Sequence, residues 1–264
     1  MICLLDAIRL FKVNRAGFGL AILPQNGLGL NDRYKFNTDI ALWEHLPIFS
    51  LGEEEKENFR EFYSSYRKWF FKKDDCSKDQ IVRQLMKLYR LAFQVSDAQT
   101  SIILLSEIWE LFSQYFPRKK NKGNNKKGDD SDSISFTIRY SVSNMVRNKK
   151  STKSLTRSQD NIFDMVRYLY NQRSIIVHQS FDETLDLDCI PLAFDMSRCL
   201  ISKLISAPDK DIESIVKKIE ETSYDKVPYL VPSIKLNPIS DDLLDRVIRY
   251  AKFCKQQYED SHPS

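Results

Sequence analysis

Hydrophobic positions along the chain change period near residue 53. From there Phe59, Phe62, Tyr63, Tyr66, Trp69 and Phe70 recur at helical spacing. Glu53, Glu54 and Glu55 open this segment, and Lys72 and Lys73 close it, each at the end where the helix dipole favours its charge. Asp74-Asp75-Cys76-Ser77 breaks the pattern and supplies cap candidates for a second helix with Ile81, Leu85, Leu88, Leu91 and Ala92 on one face. Residues 98–116 predict a helix that is apolar nearly all round: Ile102, Ile103, Leu104, Leu105, Ile108, Trp109, Leu111 and Phe112. Glu107 and Glu110 interrupt it on one narrow side. Such a helix belongs at the centre of a bundle. Further helices are predicted over 134–147, from Ser158 or Asp160 through His178, and from Pro191 onward. Two amphipathic helices close the chain, Asp211–Glu221 and Asp241–Cys254, with Ser240 as the cap of the last.

Residues 1–50 read as the least helical part. Gly17–Leu23 and Leu28–Leu30 flank Asn26-Gly27, a turn dipeptide between apolar runs, and predict a β-hairpin. Residues 117–133 read as a mobile linker, opened by Pro117, dense in Lys, Asn and Gly, and closed by Asp129, Asp130 and Asp132. The organisation expected is therefore an N-terminal segment, 1–75, holding the hairpin and the aromatic helix in an accessory or sensing role. A helical domain, 76–264, follows, with the basic loop inside it.

Composition supports a globular, mainly α chain. With 264 residues, 42% of them hydrophobic, a core can form without staples. Only 7 glycines and 9 prolines argue against a turn-rich all-β fold. A net charge of +4 is too mild to identify a polyanionic partner, so basic patches have to be judged locally. The five cysteines are odd in number and form no C-x-x-C pair, the usage of reduced thiols in a cytoplasmic protein. No apolar run is long enough to span a membrane. Residues 1–5 are apolar without a basic stretch, unlike a secretory signal. They read as structured chain, which leaves open a start internal to a longer architecture.

The segment ending at His178 is where the sequence becomes specific. Ile162, Phe163, Val166, Leu169, Tyr170, Ile176 and Val177 form one stripe, and Arg173 is expected near its middle. A guanidinium there is costly unless it is paired or faces a wet cleft. His178, five residues on, approaches the stripe's edge. The plain alternative is an Arg that snorkels out of the core beside a surface histidine.

The run Leu169-Tyr170-Asn171-Gln172-Arg173-Ser174-Ile175-Ile176-Val177-His178 resembles the signature segment of the HEPN superfamily, most closely the Apea-like HEPN branch of bacterial anti-phage effectors. The apolar helix with Glu107, the segment 136–146 and Ala193–Leu200 with its Arg198 are similar to the helices around that signature. Ala7–Phe11 and the Gly17–Gly19 stretch are similar to the family's N-terminal portion. The likeness covers roughly 90–205 well and the ends poorly. Ser174 stands where the superfamily more often has Asn, Asp or His, and Gln179 where the branch often has Gly.

The resemblance implies a HEPN-type helical bundle and a metal-independent endoribonuclease without cofactor, its site composed across a homodimer. In that chemistry the RNA 2′-OH attacks the neighbouring phosphate, which needs a proton acceptor, a proton donor and charge stabilisation. Histidine titrates near neutrality and supplies the first two roles. Arginine presents a permanently charged fork to phosphate oxygens. The site residues implied are Arg173 and His178, with Ser174 to hold phosphate or position His178, and Glu107 to orient the pair. RNA (tRNA among the candidates), a second copy of the chain, and an antitoxin or phage-derived trigger are the partners implied, in anti-phage defence or a toxin–antitoxin setting. The alternative is a non-catalytic HEPN-like module for dimerisation or nucleic-acid binding.

Lys149, Lys150, Lys153 and Arg157 lead into this segment with no acidic residue among them, and would neutralise RNA phosphates. A solvated loop is the competing explanation, as it is for 118–127. Tyr63, Tyr66, Arg67, Lys68 and Trp69 are either a base-stacking face or part of the core. His45 and His262 have no ligand-like neighbours, so no zinc site is expected. Asp182, Glu183, Asp186 and Asp188 read as an exposed acidic loop or a cation site. There is no phosphate-binding glycine loop and no G-x-S-x-G elbow.

Overall fold

The computed structural model describes residues 2–12, 46, 49, 51–73, 75–95, 97–117, 134–146, 159–178, 189–208 and 210–221. Eight helices make up the described chain: α1 (Ile2–Phe11), α2 (Glu53–Phe70), α3 (Ser77–Gln94), α4 (Ala98–Ser113), α5 (Ile134–Val146), α6 (Gln159–His178), α7 (Cys189–Ser206) and α8 (Ile212–Glu221). No strand occurs among the described residues. The described chain is thus mainly helical, as its periodicity predicts. The Gly17–Leu30 hairpin, the linker beyond Pro117, the basic run at 147–157, the acidic cluster at 182–188 and the helix at 241–254 lie outside the described residues.

The apolar helix sits where its pattern demands. α4 packs against α3, α5, α6 and α7, and its Ile102, Leu105, Ile108, Trp109 and Phe112 are buried. Asp97 caps its start, accepting from Gln99 N (3.3 Å) and Thr100 N (2.7 Å). Buried hydroxyls near the helix contacts are satisfied locally. Ser106 donates to the carbonyl of Ile103, and Ser113 to that of Glu110. Ser101 reaches Ala92 O on α3, and Trp109 Nε1 donates to Ser197 Oγ on α7 at 3.0 Å. Each of these four side-chain donors therefore keeps a partner.

α7 is buried from Cys189 to Leu204 except at Pro191, charged residues included. It begins two residues before Pro191, which occupies the first turn, where a missing N–H costs nothing. It contacts α1, α2, α3, α4 and α5.

Residues 2–11 correct the expectation of a poorly helical start. Cys3, Asp6, Ala7, Arg9 and Leu10 are all buried, on a face at helical spacing. Two of the five are charged, which hides the period from a hydrophobicity reading. Both charges are accommodated. Asp6 accepts from Arg90 Nε (3.0 Å) and Nη2 (2.6 Å) and from Tyr66 Oη (3.1 Å). The Arg9 guanidinium lies 4.2 Å from the Phe93 ring centroid. Arg198 on α7 donates Nη1 to Leu10 O (3.3 Å) and Phe11 O (3.0 Å), capping carbonyls at the C-terminus of α1. Lys12 then pairs with Glu55 at 2.9 Å, joining the end of α1 to the start of α2. One hydrophobic cluster includes residues of all eight helices, so α1 and α2 share a core with the helices that follow residue 76.

The α2–α3 corner is fixed by Asp79, whose side chain is fully buried. It accepts from Trp69 Nε1 at 2.9 Å, from Cys76 Sγ at 2.9 Å and from Lys72 Nζ. Burial alone would push this carboxyl up; the donors from Cys76, Lys72 and Trp69 outweigh it and hold the group at about 2, below its ordinary 3.8. A carboxylate depressed on folding adds stability above its unfolded value and loses it as pH falls through the folded one. Asp79→Asn is therefore expected to destabilise by about 2 kcal/mol at pH 7. It should also flatten the stability–pH curve between about pH 4 and 2, measured by urea unfolding at several pH values. A variant as acid-sensitive as the parent in that window would show that Asp79 is not the group responsible.

Candidate functional site

α6 carries Arg173, Ser174 and His178, and its boundaries agree with the helix expected from Ser158 or Asp160 through His178. Its buried face is Met165, Val166, Tyr168, Leu169 and Gln172. Arg173 therefore lies at the edge of that face and not at the middle of the stripe. Tyr170 and Ile176 are half-buried, and Val177 is 47% exposed. Tyr170, Arg173 and Val177, spaced by three and four residues, form one flank of α6.

That flank meets α4. Arg173 Nη2 lies 3.3 Å from Glu110 Oε1, and the Arg173 side chain is 20% exposed. Tyr170 Oη donates to the same carboxylate oxygen at 3.0 Å. The guanidinium carbon stands 5.7 Å from the Tyr170 ring centroid. The Arg173 Nε atom is buried and has no hydrogen-bond partner among the described residues. Burial, then the charge of Glu110 and its hydrogen bond, push the Tyr170 phenol up to about 12, so it stays protonated and serves Glu110 as a donor. Glu107, one turn earlier on α4, adds a weaker push in the same direction.

The residues singled out from the sequence divide as follows. Arg173 and Ser174 are adjacent and half-buried on α6. Glu107 is half-buried on α4 and makes no ion pair among the described residues; the carboxylate in contact with Arg173 is Glu110. Both glutamates occupy the narrow polar side of α4, three residues apart, so spacing alone does not choose between them. His178 is the last residue of α6, and its side chain lies outside the description. Five residues of helix rotate its position by about 140° from Arg173, whereas Ser174 and His178, four apart, stack along the axis. Lys149, Lys150, Lys153 and Arg157 lie outside the described residues. Arg198 is fully buried, paired with Asp195 and the end of α1.

Chemically, this corner holds a partly exposed cation whose buried Nε has no partner, a tyrosine that donates to its carboxylate, a neighbouring hydroxyl, and a helix end bearing a histidine. The exposed apolar Val177 lies beside them. Among the described residues no group of three or more His, Cys, Asp or Glu is arranged to hold a metal ion. No described helix is long and apolar enough to cross a membrane. Comparison with protein-family models, characterised proteins and solved structures finds no match to this chain.

Proposed function

We propose that this chain is a metal-independent endoribonuclease of the HEPN type, acting as a homodimer in anti-phage defence or a toxin–antitoxin system. Arg173 carries the proposal: a guanidinium at the edge of the core, held by Glu110 and Tyr170 and retaining an unpaired Nε–H. Such a group is oriented before substrate arrives, which is what stabilisation of a developing phosphorane charge requires. His178 is the acid–base group, Ser174 positions phosphate or histidine, and Glu110, with Glu107 beside it, sets the guanidinium. The reaction needs no metal, because the attacking oxygen belongs to the RNA and its proton passes to histidine.

The half-exposed Val177 favours a second copy of the chain as the neighbour of this flank. A two-fold contact there would bring two Arg173/His178 pairs face to face. Multi-angle light scattering should give a dimer at micromolar concentration. Val177→Glu should give a monomer that no longer cleaves RNA, since burying an unpaired carboxylate at that contact is unfavourable. A wild-type monomer that cleaves RNA at full rate would contradict the composite site. The Arg173–Glu110 pair also suits a non-catalytic dimerisation module, in which the cation is structural. In that case the dimer forms and RNA stays intact.

A further inference from the structure

The aromatic and basic end of α2 belongs neither wholly to the core nor to the Arg173 corner. Tyr66 and Trp69 are buried, so the two rings most suited to stacking are structural. The cations between them point outward: Arg67 and Lys68 are exposed, as is Lys73 beyond the helix. From 62 to 73 the chain has four cations and no acidic residue, while Glu53, Glu54, Glu55, Glu57 and Glu61 gather at the other half of α2. Lys72 is committed to Asp79. Arg67, Lys68 and Lys73 make no ion pair among the described residues. Phe71, the C-cap residue of α2, is 64% exposed and steadied edge-on by Phe70, the ring centroids 5.0 Å apart. Ser64, Arg67, Lys68 and Phe71 line an open hollow of about 510 Å³.

We infer that this hollow is a binding site for single-stranded RNA, in which Arg67 and Lys68 take consecutive phosphates and one base stacks on Phe71. A cationic track beside an exposed aromatic ring is how single strands are gripped without sequence readout. Arg67 and Lys68 beside the exposed Phe71 ring suit a charged strand that also carries stackable rings better than a headgroup surface. α2 packs on α1 and α7, whereas α6 packs on α4 and α5, so the grip is built on different helices from the Arg173 corner. The site stands on its own geometry and rests on the ribonuclease reading only for the choice of RNA as the natural strand.

Binding is to be read by fluorescence anisotropy of the full chain with labelled dT12, which cannot be cut through a 2′-OH, and with U12. Phe71→Ala is expected to weaken dT12 binding about tenfold. The Arg67→Ser, Lys68→Ser double variant should weaken it at least as much and flatten the salt dependence by about 0.7 per lost phosphate contact. Lys56→Ser, at the acidic half of α2, serves as the control and should bind as the parent does. All four positions are exposed, so circular dichroism should be unchanged. If the patch variants bind within twofold of the parent, the site is refuted. It is also refuted if the parent binds anionic phosphatidylserine vesicles through these residues and leaves dT12 alone. A parent that cuts no RNA yet loses dT12 on these substitutions overturns the ribonuclease proposal and upholds this site. RNA cleavage by the parent with dT12 binding untouched by them does the reverse.

Discussion

Alanine at Arg173 or at His178 will lower RNA cleavage by about 10²–10⁴-fold, the range that a positioned acid–base or charge-stabilising group contributes. Fold and dimer should survive both changes. Arg173 lies at the edge of the buried face, 20% exposed, and its polar contacts among the described residues are the Glu110 carboxylate and the face of the Tyr170 ring. Its removal leaves Glu110 with the Tyr170 hydroxyl as a partner, so little charge is stranded. His178 ends its helix and closes no intrahelical turn beyond itself. Arg173→Lys separates the roles further. Lysine keeps the charge but lacks the planar fork, so it should restore little of the lost turnover. The rate should bend with pH in the histidine range, around 6.5, in the parent, and His178→Ala should lose that inflection. Single-turnover cleavage, with enzyme in excess over RNA and above the dissociation constant, separates the chemical step from binding.

Arg198→Ala carries the largest expected cost to stability, about 3–5 kcal/mol. Arg198 is fully buried, and the substitution leaves Asp195 as an uncompensated carboxylate in the same core. Burial already pushes the Asp195 carboxyl up against the opposing pull of Arg198. Without its partner the group would take a proton on folding. The Phe11 carbonyl loses its donor as well and Leu10 O keeps only Ser202 Oγ at 3.5 Å, so α1 should detach from α7 first. Urea unfolding gives the cost, and hydrogen exchange locates it. The Asp195→Leu, Arg198→Met double variant should lose less than Arg198→Ala, because no charge is stranded. A single variant as stable as the parent would show that the pair and the cap contribute nothing net.

Periodicity made the helices legible wherever burial coincided with hydrophobicity. The run from Ile102 to Phe112 and the segment ending at His178 both needed nothing more. It failed for α1, because Asp6 and Arg9 lie on the buried face and are satisfied by Arg90, Tyr66 and Phe93 from distant segments. It misplaced Arg173 for the converse reason. Tyr170 and Val177 are apolar but lie on the flank, while the polar Gln172 is buried. Helical spacing brought Glu107 and Glu110 to one side of α4, yet only tertiary packing shows that Glu110 meets the guanidinium. Phe71 was hidden for a similar reason: the sequence shows five aromatic residues between 62 and 70, and which rings stay outside is set by how α2 seats on α1 and α7.

The decisive measurement is the chemistry of RNA ends after incubation with the purified protein in EDTA. Fragments ending in a 2′,3′-cyclic phosphate or its hydrolysed form are expected, with a DNA strand of the same sequence left intact and with both His178→Ala and Arg173→Ala inactive. RNA left whole under these conditions, or cut at the parental rate by His178→Ala, would contradict a ribonuclease built on Arg173 and His178.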